Sequence, residues 1–196
     1  MTPTQKLEAK FCFTKMAAVR HPYLGRIFEV YSEGHEIHEM FHIISEWNAG
    51  NTLGAVIEKR HKQEMLFSND EIFHFFSFLI MAVEECHNSG FVHRNISTNH
   101  IYVSEDRQMV KLHAMQPAGM KEIKEKKYND IYLGEYYYIG PEVYNFMPEV
   151  FDTADKPNDL FTSTADIWAL GMVIFEMVKM DKKETNVHRA KYGEPL

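Results

Sequence analysis

The segment His38-Glu39-Met40-Phe41-His42 has the residue types and spacing for zinc chemistry, matching the H-E-x-x-H pattern in which two histidines hold the metal and the glutamate acts as base. That chemistry requires a helix, because only a helix puts histidines four apart on one face, a turn from each other. The residues that follow, Phe41-His42-Ile43-Ile44, run into a stretch rich in β-formers after Gly34. In a strand, positions four apart lie roughly 13 Å from each other at about 3.3 Å per residue, too far to share one zinc. A zinc metalloprotease is therefore a remote alternative. Four other segments matter as an ordered set: Phe91-Val92-His93-Arg94-Asn95-Ile96-Ser97-Thr98-Asn99-His100, Val110-Lys111-Leu112-His113-Ala114-Met115-Gln116, Tyr138-Ile139-Gly140-Pro141-Glu142-Val143, and Ala165-Asp166-Ile167-Trp168-Ala169-Leu170-Gly171.

The elements that must position these groups can be read from periodicity and punctuation. Apolar residues at helical spacing over 5 to 19 (Leu7, Phe11, Phe13, Met16, Val19) predict a first helix, stopped at His21-Pro22. Residues 23 to 31 and 40 to 47 predict two antiparallel strands around Ser32-Glu33-Gly34. A polar break at 48 to 51 precedes a short helix over 52 to 62, and Ser68-Asn69-Asp70-Glu71 is a capping-box signature. The helix behind it, with Ile72, Phe73, Phe75, Phe76, Phe78, Leu79, Ile80, Met81 and Val83, leaves almost no polar face and is expected to be buried as far as its stop at Gly90. Two short strands flank Ser104-Glu105-Asp106-Arg107, residues 117 to 132 read as a mobile polar segment, and 164 to 180 as another apolar helix. This order places a small sheet-containing part before a helical part, an α+β arrangement.

Composition narrows the function. The 196 residues, 45% hydrophobic and 25% charged, suffice for one or two domains with a real core. Cys12 and Cys86 lie in helical patterns and suit reduced core thiols, which points to a reducing, cytoplasmic setting. No apolar stretch approaches the roughly 20 residues of a membrane span. The formal charge of −7 argues against a nucleic-acid footprint, and the basic run over 121 to 127 is interleaved with acids.

The four segments, with the hinge-like Ile44-Ser45-Glu46-Trp47 and the His21-Pro22 turn before them, resemble the protein kinase family over about residues 5 to 180. The resemblance implies an α+β protein-kinase-like fold with a partial small lobe (helix C and two or more strands) over 1–47. It further implies a mainly helical large lobe, up to helix F, over 48–180, and a polar tail over 181–196. It also implies which groups phosphoryl transfer would need. Where the family's proton-accepting Asp stands there is Asn95, whose amide is no base. The expected lysine is Ser97 and the metal-binding Asn is His100, with Asn99 next door; Ala114-Met115-Gln116 replaces Asp-Phe-Gly and offers Mg²⁺ no carboxylate. The helix C glutamate position, counted back from Pro22, is Cys12, with Glu8 one turn away.

Loss of a general base alone lowers a rate by about 10² to 10⁴. The resemblance thus implies a pseudokinase with no catalytic, cofactor-binding or metal residues, weak or no ATP binding, and a protein partner, an active kinase among the candidates. A divergent serine/threonine kinase is the alternative, and it founders on Asn95 and Ala114. The packing residues by the same resemblance are Met16, Ile27, His93 and Met115 as a spine between lobes, with Asp166 holding the catalytic-loop backbone and Tyr102 beneath the place of the adenine. Residues 114 to 142 contain no Ser or Thr, leaving Tyr128 and Tyr132 as acceptors. The resemblance also implies a fragment, short isoform or incomplete gene product, with Glu142 lacking its usual arginine.

Overall fold

The computed structural model describes residues 14, 16–34, 40–113, 119–120, 136–140 and 162–180. Of the expected first helix, Thr14 and Met16 have helical backbone and a turn follows at 17–18; the remainder lies outside the described residues, as do Cys12, Ala114, Met115, Gln116 and Glu142.

Strands β1 (Ile27–Glu33) and β2 (Met40–Ser45) pair antiparallel, Glu29 opposite Ile44 and Glu33 opposite Met40, with a bulge between Ile27 and Glu29. The first strand begins later than the sequence pattern predicts because residues 23–25 have another partner. The Leu112 N–H donates to the Tyr23 carbonyl at 2.8 Å and the Gly25 N–H to the Leu112 carbonyl at 2.8 Å. Tyr23 also stacks on Phe78 with ring centroids 4.0 Å apart. The short strands β3 (Asn51–Thr52), β4 (Phe91–Val92), β5 (Ile101–Val103), β6 (Val110–Leu112) and β7 (Gly119–Met120) complete the described sheets, ordered β3-β5-β6 and β4-β7. The expected mobile segment over 117 to 132 thus contains a strand near its start, fixed by Phe91 pairing with Met120 and Val92 with Gly119. The strands flanking the 104 to 107 turn are where the sequence puts them.

Helix α1 (Leu53–Lys62) is capped by the Thr52 hydroxyl, which accepts the Ala55 N–H at 3.2 Å, and its last turn carries Lys59, Arg60 and Lys62, cations suited to its C-terminal dipole. Helix α2 (Asn69–Asn88) starts with the predicted capping box: Ser68 Oγ accepts the Glu71 N–H at 3.2 Å, and a Glu71 oxygen accepts the Ser68 N–H at 2.9 Å. Gly90 just past its end has φ +84°, the left-handed conformation that suits glycine. Phe75, Leu79, Ala82, Val83 and Cys86 bury one face of α2 against β4, β6 and helix α3 (Ser163–Lys179). The expectation of burial all round fails here, because Phe73 is 68% and Ile80 41% exposed on the opposite side. Among the described residues no helix is long and apolar enough to cross a membrane.

Candidate functional site

The loop from β4 to β5 is held from below by one carboxylate. Asp166, in the first turn of α3 and 1% exposed, accepts the His93 N–H at 2.8 Å through Oδ2 and the Arg94 N–H at 2.8 Å through Oδ1. His87, at the end of α2, brings its Nε2 to 2.8 Å from Oδ2 of the same carboxylate. Arg94 has φ +62°, a strained conformation for a residue with a Cβ, and its N–H is one of the two that Asp166 fixes. The sequence expectation for Asp166 is met in full; the His87 contact was not foreseen.

Met16 and Ile27 are buried in the hydrophobic core, and His93 is fully buried. Burial pushes its imidazole down to about 4, against the opposing pull of the nearby Asp166 charge. Its Nδ1 accepts the Asn95 N–H at 3.3 Å, which suits the neutral ring. Asn95 is itself 2% exposed, so this side chain is packed into the loop rather than standing open at its surface. Ser97 and His100, at the positions of the family's lysine and metal-binding asparagine, turn toward each other and the loop. His100 Nδ1 lies 3.0 Å from Ser97 Oγ and 3.0 Å from the Asn95 carbonyl. Asn99 faces α1, its Oδ1 2.7 Å from where a Cβ on Gly54 would lie.

Thr98 belongs to a buried polar cluster that the sequence reading missed. Its hydroxyl lies 2.9 Å from the Tyr138 hydroxyl and donates to the Glu176 carboxylate at 3.2 Å, while Tyr138 donates to Glu176 directly. All three side chains are at most 3% exposed. Burial, and then the Glu176 charge, push the Tyr138 hydroxyl far above its usual range, so it stays a donor. Two signals pointed here: Glu176 is an acid in the otherwise apolar run Trp168 to Val178, and a buried acid needs donors. Tyr138→Phe is expected to lower stability by about 1–3 kcal/mol in urea denaturation, because it removes a donor from a buried carboxylate.

Beside the hinge, Glu46 forms an ion pair with Lys111 and accepts the Arg26 N–H at 3.2 Å. Burial raises its carboxyl, but the Lys111 and Arg26 hydrogen bonds outweigh that and hold it below its usual range. Asn48 Nδ2 is hydrogen-bonded to His113 Nε2, and the His113 ring meets the edge of Tyr102 at 5.3 Å between centroids. Residue 25 must be glycine for this, since a Cβ there would lie 2.1 Å from the His113 ring. Tyr102, half-buried, is therefore in edge contact with a ring supplied by the protein itself. Away from the loop, Arg60 forks onto Glu71 at 3.1 and 2.5 Å and lies 4.0 Å over the Phe67 ring. That pair, chiefly through the Arg60 hydrogen bond, holds the Glu71 carboxyl down to about 2.

His42 lies on β2, stacked 4.8 Å from Tyr31 with its Nε2 3.5 Å from Glu33. The helix that H-E-x-x-H chemistry needs is thus replaced by a strand over Met40–Ser45; His38 and Glu39 lie outside the described residues. Cys86 is buried and in no disulfide, its thiol pushed up to about 12 by burial.

A carboxylate that anchors a His-Arg-x loop from the first turn of a following apolar helix, beneath a short strand and a hinge, is the frame of a protein kinase large lobe. The protein kinase domain family model matches residues 12–191, and the chain belongs to the protein kinase family. It is 26% identical over 182 residues to serine/threonine-protein kinase Nek8 of Danio rerio, covering 93% of this chain and 23% of that protein. To NUAK family SNF1-like kinase 1 of Homo sapiens it is 27% identical over 164 residues, covering 83% and 21%. To CBL-interacting protein kinase 11 of Oryza sativa subsp. japonica the figures are 27% over 167 residues, 83% and 29%. The chain spans about a quarter of the length of these curated relatives.

Proposed function

We propose that this chain is a catalytically inactive member of the protein kinase family, a pseudokinase that works as a binding, scaffolding or regulatory module toward a protein partner in the cytoplasm. The observation that carries this reading is Asn95. The loop backbone is held as phosphoryl transfer would need it, yet the residue at the position of the proton acceptor is a buried amide. Two further features support it. Ser97 and His100 are bonded to each other and the loop, and Asn48, His113 and Tyr102 contact one another next to the hinge. An active kinase is a fitting partner, because the kept architecture has the shape of one.

The decisive experiment is a thermal melt with and without ATP and Mg²⁺, together with a phosphotransfer assay on a generic basic protein. No shift and no transfer are expected. A ligand present at 100 times its dissociation constant adds about 2.7 kcal/mol, which moves the melting temperature by several degrees. A rise of that size that requires both nucleotide and Mg²⁺ overturns the absence of nucleotide binding, and accompanying phosphotransfer establishes the rival reading, a divergent serine/threonine kinase, which the relatives' names favour.

A further inference from the structure

Acids outnumber Lys and Arg in this chain by 28 to 21, yet one cavity gathers the reverse. It encloses about 420 Å³ between residues 19–22, the start of β1 and the Glu46–Lys111 pair. Arg20, Arg26 and Lys111 stand on its wall with Glu46 as the one acid among the described residues, three cations to one anion, a surplus of two. Among the described residues neither Arg20 nor Arg26 has an ion-pair partner. Both side chains are exposed, and both are held from behind. Arg20 donates through Nη1 alone, to the Val19 carbonyl at 2.9 Å and to that of Ala17. The Arg26 backbone is pinned twice to Glu46, its N–H donating to the carboxylate at 3.2 Å and its carbonyl accepting the Glu46 N–H at 2.7 Å. Its guanidinium lies 5.1 Å over the Phe28 ring. Cations positioned before a ligand arrives lose less freedom when it binds.

We propose that this cavity is a docking site for a phosphorylated side chain on a protein partner. A phosphoester carries a charge of about −1.5 to −2 at neutral pH and accepts hydrogen bonds through three oxygens, which matches the surplus of two; a single carboxylate would leave one cation uncompensated. Pro22, Leu24 and Phe28 give the cavity an apolar side, on which residues next to the phosphate can rest. Its size falls within the roughly 300–1,000 Å³ of ordinary ligand pockets. The charge of −7 over the whole chain argues against a polyanion such as nucleic acid or an anionic membrane, because the patch would attract it and the rest of the chain repel it. One phosphate on a peptide meets the patch alone.

This inference rests on the reading of the chain as a binding module, and its test uses no nucleotide, so the two can fail separately. An array of short random peptides, each centred on phosphoserine or phosphotyrosine, is probed with the full chain beside an unphosphorylated copy of the array, and the strongest sequence is then titrated by fluorescence polarisation. The phosphorylated form of that peptide is expected to bind at least about tenfold tighter than the unphosphorylated form, a difference of about 1.4 kcal/mol. Arg20→Gln and Arg26→Gln, both at exposed positions, should each weaken binding at least about fivefold. Lys59→Gln, which removes an exposed cation of α1 outside the cavity, should leave it unchanged. Backbone amide NMR shifts of the unmodified chain supply a readout that depends on no variant, and they should move over residues 19–28 when the phosphopeptide is added. Arrays that bind alike with and without phosphate, affinity that both arginine variants leave intact, or shifts confined to other residues would each overturn the proposal. So would displacement of the peptide by an equal concentration of inorganic phosphate, which would show an adventitious ion only, or of single-stranded DNA, which would show a polyanion surface.

Discussion

Asp166→Ala is expected to lower stability by about 3–5 kcal/mol, or to abolish soluble expression, because it strips a buried carboxylate from three donors at once. The His93 and Arg94 N–H groups lose the Asp166 oxygens they donate to, and His87 loses one of its contacts. Arg94 also loses what offsets its left-handed backbone, a strain of about 1–2 kcal/mol. Asn95→Ala, one residue further along, should cost only about 1 kcal/mol, since its own N–H bond to His93 survives the substitution. Urea denaturation of both variants tests the register of the whole loop. An Asp166→Ala protein as stable as its parent, beside a crippled Asn95→Ala, would show that these residues do not play the parts assigned to them.

Acid should weaken the fold through His93. Its folded value of about 4 lies below the 6.5 of a free imidazole, so between those pH values the unfolded chain binds the proton and the folded one does not. Stability therefore falls as pH drops from about 6.5 to 4 and levels off below, by on the order of 3 kcal/mol at 1.36 kcal/mol per unit. The difference in stability between the parent and His93→Phe, measured across that window, isolates this contribution from the other titrating groups. His87 and His100 face the same ring with like charge when protonated, and Asp166 faces it with opposite charge. A difference that stays constant from pH 7 to pH 4 would mean that the ring is hydrated in the folded state.

The parts legible in the sequence were those set by local chemistry. The capping box at Ser68 and Glu71, the stop at Gly90, the turn over 104 to 107 and the apolar helix carrying Asp166 all follow from short-range hydrogen bonding or periodicity. The two-residue strands β3, β4 and β7 escaped because two residues carry no period. The solvent side of α2 escaped for another reason: Phe73 and Ile80 are as apolar as Phe75 and Leu79, so nothing local says which of them meet α3. At the site, ordered motifs marked Asp166, His93 and Asn95. Glu176 stood out as an acid in an apolar run, but that Thr98 is its donor, like the pairings of Asn48 and Arg60, was illegible, since each is a fact of tertiary contact between groups 11 to 78 positions apart.

The bond from His93 to Asp166 closes a span of 73 residues. On the ribosome, at roughly 5–20 residues per second, the loop emerges about 4–15 s before the carboxylate that fixes it, and the inner face of α2 emerges earlier still. Through that interval Phe75, Leu79 and Val83 have no α3 to cover them. Nascent chains of this protein therefore carry a hydrophobic helix that waits for its cover, a substrate for chaperones that hold emerging chains.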